Sequence, residues 1–152
     1  LEKYLDEQFN RLAEKNIKLN IIGNINKFPN SLKKKLKKAE KTTKTNNSIQ
    51  INLALNYGSK EEIITAIKKL LNSSSKINEE NISQNLYTKD IPDPEILIRT
   101  GNRYRLSNFL LWQSSYTEIF FIKKLWPDFN KNDFQKILVK FKSMRRNFGG
   151  IK

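Results

Sequence analysis

The sequence predicts an α/β fold, a mainly parallel β-sheet flanked by helices. Short apolar runs of strand length alternate along the chain with longer segments whose apolar residues recur at helical spacing. Strands that alternate with helices of this length imply βαβ units, in which parallel strands are joined by right-handed crossovers. Because the chain has 152 residues and 38% apolar content, we expect residues 1–152 to form a single domain with its own core.

The helical segments are recognised by an apolar stripe among charged or polar residues. Helices are predicted over residues 1–12, 31–41, 60–71, 107–116 and 132–146, with a short one near 79–86. In the second of these, Leu32, Leu36 and Ala39 face inward and the lysines form a solvated face. The first pattern begins at Leu1 without an N-cap, which indicates that sequence has been lost upstream.

The strand segments are short apolar runs that end at a glycine, an arginine or a polar turn. Strands are predicted over residues 17–23, 49–55, 96–98 and 119–122. Residues 49–55 alternate at first and are then continuously apolar, as buried strands are. In a parallel sheet, ligands bind beyond the carboxyl ends of the strands, and Arg99 lies at such an end.

Composition excludes several kinds of site. The chain has no cysteine and no histidine, so thiolate chemistry, disulfides and the commonest general base are ruled out. No apolar run reaches the roughly 18 residues of a membrane span and no signal-peptide pattern opens the chain, so we expect a cytoplasmic protein. The net charge of +14 favours a polyanionic or phosphorylated partner.

Residues 98–113 carry the clearest chemistry. An apolar run ends at Arg99, passes a glycine turn at Gly101, and reaches Arg105 and Ser107 at the start of the predicted helix. Guanidinium forks and the N–H groups of a helix N-terminus both bind phosphate oxygens. The pattern therefore predicts a phosphate or diphosphate site, although an isolated Arg99 would equally form a salt bridge with Asp93 or Glu95.

The same residues resemble the C-terminal signature of the cis-prenyltransferase family, most of all its bacterial undecaprenyl diphosphate synthases. The motifs that carry the resemblance are residues 93–101 (Asp-Pro-Glu-Ile-Leu-Ile-Arg-Thr-Gly), 105–113 (Arg-Leu-Ser-Asn-Phe-Leu-Leu-Trp-Gln), 116–121 (Tyr-Thr-Glu-Ile-Phe-Phe), 125–129 (Leu-Trp-Pro-Asp-Phe) and 145–150 (Arg-Arg-Asn-Phe-Gly-Gly). They occur in family order and the match covers nearly the whole chain.

The resemblance implies an enzyme that condenses isopentenyl diphosphate with an allylic diphosphate of the farnesyl type, making an undecaprenyl-type lipid carrier. It implies that Arg99, Arg105 and Ser107 bind isopentenyl diphosphate and that Glu118 lies at a Mg²⁺ site. It further implies a homodimer and a cytoplasmic location, with peripheral contact to the inner membrane face through the lipid product.

The sequence also departs from the family pattern. It has no Asp-Gly-Asn-Gly-Arg motif and no Ser-x-Glu-Asn-Trp stretch, so it resembles the C-terminal two-thirds of the enzyme without the first two strands, and no catalytic residue is assigned. Asn102 and Arg103 replace the family's Gly-Glu, and Tyr104 replaces a histidine. We therefore expect strong diphosphate binding, weakened magnesium binding, and no activity from this chain alone.

Three alternatives remain at the level of sequence. The chain could be a non-catalytic partner subunit of a prenyltransferase, since some family members lack the aspartate motif. It could be a basic nucleic-acid-binding module, but no aromatic residues interleave the lysines, so no nucleic acid is expected as a partner. Phe109, Leu110 and Trp112 are expected in the core, and residues 49–55 line either a tunnel or the core.

Overall fold

The computed structural model describes residues 2–145, with side chains from residue 7 onward. In chain order the elements are α1 (Glu2–Glu14), β1 (Ile17–Ile22), α2 (Asn30–Thr43), β2 (Ile49–Ala54), α3 (Ser59–Asn72), α4 (Glu79–Ser83), β3 (Ile96–Arg99), β4 (Glu118–Phe121) and α5 (Lys131–Ser143). The chain divides into two compact units between Lys89 and Asp90. Each unit contains one pair of parallel strands flanked by helices, which confirms the predicted fold class.

In the first unit, helix α2 closes the outer edge of strand β1. The strands pair in register from Ile17 with Ile49 to Ile22 with Ala54. On the other side of β1, the N–H of Leu19 donates to Thr43 Oγ1 at 3.0 Å and the N–H of Ile21 donates to Glu40 Oε1 at 2.7 Å. Side chains of α2 thus satisfy the donors that a further strand would otherwise take up.

Strand β2 is not buried, contrary to the sequence prediction. Ile49, Ile51 and Leu53 are 58%, 39% and 36% exposed. The reason is that α1 and α2 pack against β1, while β2 pairs with β1 alone among the described residues. A continuous apolar run indicates a strand that can be buried on both faces, but burial itself requires elements that cover it.

A buried carboxylate holds the loop after β2 in place. Glu62 of α3 is only 1% exposed, and it accepts hydrogen bonds from the Tyr57 hydroxyl at 2.5 Å and from the Tyr87 N–H at 2.8 Å. Burial, together with the charges of Glu61 and Glu62, raises the pKa of Tyr87. Helix α3 is therefore tied both to the end of β2 and to the chain that follows α4.

The turn after β1 requires a glycine. Gly23 has φ of +107°, and a Cβ added there would lie 2.3 Å from the carbonyl oxygen of Leu55. The backbone of the two strand ends is also joined directly, since the Leu55 N–H donates to Ile22 O at 2.9 Å. The absence of a side chain at Gly23 permits this close approach.

In the second unit, β3 and β4 pair in register from Ile96 with Glu118 to Arg99 with Phe121. Helix α5 begins with a capping box formed by Asn130 and Asp133. Hydrogen bonds from Lys124 and from the backbone of Asn130 hold the pKa of Asp133 below its usual range. The capped helix packs Ile137 inward, where it is 5% exposed.

The predicted helix over residues 107–116 is wrong: this segment is a series of turns. Ser107, Asn108 and Leu110 have φ of +51°, +61° and +46°, and left-handed residues cannot continue a right-handed helix. The expected core role of this segment is also wrong, since Phe109 is 39% exposed and Leu110 and Trp112 are only half-buried. The other predicted helices are present, although α4 is shorter than expected and Arg146 lies outside the described residues.

We expect Gly23→Ala to destabilise the protein more than Gly101→Ala does. Both glycines have positive φ, but the nearest atom to a Cβ at Gly101 is Leu125 Cδ2 at 3.9 Å. Gly101→Ala should therefore show only the conformational cost, about 1–2 kcal/mol, whereas Gly23→Ala adds a backbone clash of at least about 2 kcal/mol. Urea unfolding followed by circular dichroism measures both, and equal losses would contradict the close approach at Gly23.

Candidate anion-binding site

The carboxyl end of β3 is joined to the chain that follows β4. The Gly101 N–H donates to Lys124 O at 2.7 Å, and the Asn102 N–H donates to Ile122 O at 3.0 Å. The Ile122 N–H in turn donates to Arg99 O at 2.8 Å. Gly101 and Asn102 have φ of +87° and +54°, which turns the chain sharply after the strand. These backbone bonds give the loop a fixed base.

Three of the predicted site residues come together above this base. Arg99 donates from Nη1 to the carbonyl oxygen of Arg105 and, at 2.8 Å, to Ser107 Oγ. Arg105 donates from Nε to the same Ser107 Oγ at 3.3 Å. Two guanidinium groups therefore share one hydroxyl, although their residues lie six positions apart.

No carboxylate neutralises this pair among the described residues. The guanidinium of Arg99 bonds to Arg105 and Ser107, not to Asp93 or Glu95, so the alternative of a simple salt bridge does not describe it. Each guanidinium has five N–H donors, and most of them remain available to a ligand. Two adjacent cations with unused planar donors form a site suited to a phosphate or diphosphate.

The anion site does not include a helix N-terminus. The sequence predicts that the N–H groups and the dipole of a helix starting near Ser107 contribute to the site, but residues 107–116 form turns instead. Ser107 instead has a left-handed φ of +51°, which is uncommon for a residue with a side chain. Anion binding must therefore depend on the guanidinium groups and the hydroxyl. The strained backbone at Ser107 is kept in place by the hydrogen bonds that its side chain accepts from the two arginines.

Glu118 lies apart from the other three residues. It begins β4 and is level with Ile96, whereas Arg99 is level with Phe121 at the other end of the strand pair. Because side chains alternate along a strand, Glu118 and Arg99 also project from opposite faces of this two-stranded sheet. In the part of the chain that the structure describes, no group of three acidic side chains is placed to hold a metal ion.

Tyr104 is a neighbour of the site that sequence reasoning treated only as a departure from the family. Its ring lies 5.3 Å from the Phe121 ring, and its hydroxyl donates to Asn102 Oδ1 at 3.2 Å. Phe121 is the register partner of Arg99, so Tyr104 packs beside the arginine end of the sheet. The contact between Tyr104 and Phe121 beside Arg99 follows from the strand register, and the sequence pattern does not specify that register.

Comparison with known proteins identifies relatives over nearly the whole chain. A family model described as "Putative undecaprenyl diphosphate synthase" matches residues 1–149. The isoprenyl transferase of Heliobacterium mobile is 42% identical over 159 residues, covering 100% of this chain and 61% of that protein. That of Rickettsia typhi is 39% identical over 150 residues, covering 98% of this chain and 66% of that protein. The chain thus spans somewhat less than two thirds of these relatives.

Solved structures agree with these matches. A probable undecaprenyl diphosphate synthase from Campylobacter jejuni is 37% identical with a TM-score of 0.89, covering 98% of this chain and 71% of that one. Lavandulyl diphosphate synthase from Lavandula x intermedia, solved with dimethylallyl diphosphate, is 31% identical with a TM-score of 0.90 and covers 98% and 68%. These likenesses confirm the resemblance drawn from the motifs.

We expect Arg99→Gln to weaken binding of inorganic pyrophosphate by at least about tenfold, because a charged hydrogen bond contributes about 1.5–3 kcal/mol. Lys142→Gln is the matched control: it removes the same charge from an exposed position of the same unit, outside the loop that carries the cluster. Its effect should stay below about threefold, since exposed charges act through screened solvent. Isothermal titration calorimetry measures both, and equal losses would mean that net charge, not the cluster, binds the anion.

Proposed function

Because this chain belongs to the undecaprenyl diphosphate synthase family of prenyltransferases, we propose that it serves a cis-prenyltransferase that condenses isopentenyl diphosphate with an allylic diphosphate. The observation that carries the proposal is the cluster of Arg99, Arg105 and Ser107. Its two guanidinium groups match the negative charge of a diphosphate, and each can bond to two of its oxygens. In this proposal the cluster binds isopentenyl diphosphate, as the family resemblance implies.

The reaction explains why a rigid diphosphate site is needed. The allylic C–O bond breaks and diphosphate leaves, the alkene of isopentenyl diphosphate bonds to the allylic carbon, and a proton is then lost from the new unit. The diphosphate of isopentenyl diphosphate stays attached throughout. Arg99 and Arg105 therefore act by positioning, because they hold the alkene over the allylic carbon. Orientation of this kind can by itself increase the reaction rate greatly.

The allylic partner in this proposal is a farnesyl-type diphosphate, and the product is an undecaprenyl-type diphosphate. The solved relative that contains dimethylallyl diphosphate supports an allylic substrate for this fold. Assembly as a homodimer is part of the proposal through family membership. A location in the cytoplasm, peripheral to the inner membrane face, follows from the lipid nature of the product.

Magnesium enters the proposal through Glu118. Mg²⁺ is commonly bound by one or two carboxylates together with substrate phosphates. Among the described residues Glu118 belongs to no group of three acidic side chains, and it lies at the far end of the strand pair from Arg99, so this donor set does not by itself fit the ion. We therefore assign no step of the reaction to magnesium through these residues.

We further propose that this chain by itself binds isopentenyl diphosphate without catalysing the condensation. The sequence has no Asp-Gly-Asn-Gly-Arg motif, which the family uses for the allylic diphosphate and the metal. The second candidate function, a non-catalytic partner subunit of a prenyltransferase, is favoured by the same observation.

The test mixes the purified chain with labelled isopentenyl diphosphate and farnesyl diphosphate, and measures both binding and incorporation. We expect binding of isopentenyl diphosphate that Arg99→Gln weakens and Lys142→Gln does not, with no incorporation above background. Failure to bind would overturn the assignment of the cluster. Incorporation would overturn the proposal that this chain is inactive alone and would rule out the role of a non-catalytic subunit.

Magnesium should not change diphosphate affinity through Glu118, because its carboxylate lies at the far end of the strand pair from Arg99 and on the opposite face. We expect Glu118→Gln to leave pyrophosphate binding in EDTA unchanged and to keep whatever change Mg²⁺ produces in the unaltered chain. Asp128→Asn, a change at an exposed carboxylate of the same unit, is the control and should behave in the same way. Titration calorimetry with and without Mg²⁺ measures this, and loss of the magnesium effect in Glu118→Gln alone would show that Glu118 lies at a metal site.

A further inference from the structure

Helix α2 carries a row of exposed lysines along one face. Lys34, Lys37, Lys38 and Lys41 are all exposed, and their spacing of three and four residues places them on the same side of the helix. The opposite side is buried through residues such as Leu36 and Ala39. We call the four residues the lysine stripe. Lys44, exposed at the C-cap, extends it to a length of about 15 Å.

Nothing in the described part of the chain neutralises the lysine stripe by contact. The only acidic residue of α2 is Glu40, and one of its carboxylate oxygens accepts the Ile21 N–H at 2.7 Å. None of the four lysines forms an ion pair with a described residue, whereas Lys124 in the second unit is paired with Asp133. With respect to the side chains that the structure describes, the stripe is therefore a surface of uncompensated charge.

Apart from Lys41 in the last turn, the lysines of the stripe do not stabilise the helix. Lys34 with Lys38, and Lys37 with Lys41, are like charges four residues apart, which repel each other on a helix. The first turn of α2 has no acidic residue and Pro29 provides no side-chain cap, whereas α3 begins with two glutamates. The charge pattern opposes the helix dipole at this end, and an anionic partner would offset that cost.

We propose that the lysine stripe docks onto an anionic lipid bilayer. A straight, convex helix face suits a flat charged surface, and clusters of four to eight basic residues on an amphipathic helix are typical of binding to anionic lipids. Nucleic-acid binding is disfavoured because α2 has no aromatic side chain on which bases could stack. The choice of a bilayer over nucleic acid rests on the proposed function, because the proposed product is a lipid. The argument that the stripe binds a polyanionic surface is independent of that function.

The contact would lie at the membrane surface. Within the described residues no helix has the length and apolar character needed to cross a bilayer. Each basic residue near an anionic surface strengthens binding about fivefold, so four residues acting together produce an affinity that is sensitive to their loss. Binding should also weaken as salt is added, since these charges are exposed to solvent.

The test is cosedimentation of the chain with vesicles of phosphatidylglycerol and phosphatidylcholine, and with vesicles of phosphatidylcholine alone. The stripe variant changes four residues to glutamine: Lys34, Lys37, Lys38 and Lys41. The matched control changes four exposed lysines of the same unit outside the stripe: Lys68, Lys69, Lys76 and Lys89. Both variants lose the same net charge, and circular dichroism verifies that each is folded.

We expect binding only to vesicles with phosphatidylglycerol, a loss of more than about tenfold in the stripe variant, and less than about threefold in the control. Equal losses would show diffuse attraction by net charge and overturn the proposal. Tighter binding of a single-stranded RNA oligonucleotide, with the same sensitivity to the stripe, would replace the bilayer with nucleic acid. Pyrophosphate affinity should be unchanged in the stripe variant, so failure here is distinguishable from failure at Arg99.

Discussion

The candidate site depends on the bonds that Arg99 makes across its own loop. Its guanidinium reaches both the backbone carbonyl of Arg105 and the hydroxyl of Ser107. Arg105 bonds to the same hydroxyl, so the loop is closed by two cations around one neutral oxygen. Several N–H donors of the two guanidinium groups are not used within the loop, and the two positive charges repel each other. An anion with several oxygens would accept hydrogen bonds from these donors and offset the repulsion. The arrangement of the loop and the diphosphate binding that we propose for it therefore have the same origin.

Both strand pairs end in a turn that a glycine makes possible. Gly23 follows β1 and Gly101 follows β3, and both have positive φ. The physical reasons differ, because Gly23 permits close contact with the Leu55 carbonyl, whereas a Cβ at Gly101 would meet only Leu125 Cδ2 at 3.9 Å and the Gly101 N–H is bonded to the Lys124 carbonyl. The first glycine is needed for packing, and the second for directing the loop that carries the arginines.

The positive charge of the chain is organised in two ways. At the end of β3 the guanidinium groups converge on one atom, which favours a small ligand with fixed geometry. The four ammonium groups of the lysine stripe lie side by side on a convex face of α2 and form no ion pair with a described residue, which favours an extended surface. A net charge of +14 does not distinguish these cases, since only the placement of each cation selects its partner.

Local pattern in the sequence determined the four strands, most of the helices and the proximity of Arg99, Arg105 and Ser107, because these depend on neighbours within one turn or loop. Tertiary structure alone decided the rest. The exposure of Ile51 depends on which elements cover β2, and the position of Glu118 depends on strand register. The turns over residues 107–116 replace a helix because apolar spacing carries no information about left-handed backbone angles such as those of Ser107, Asn108 and Leu110.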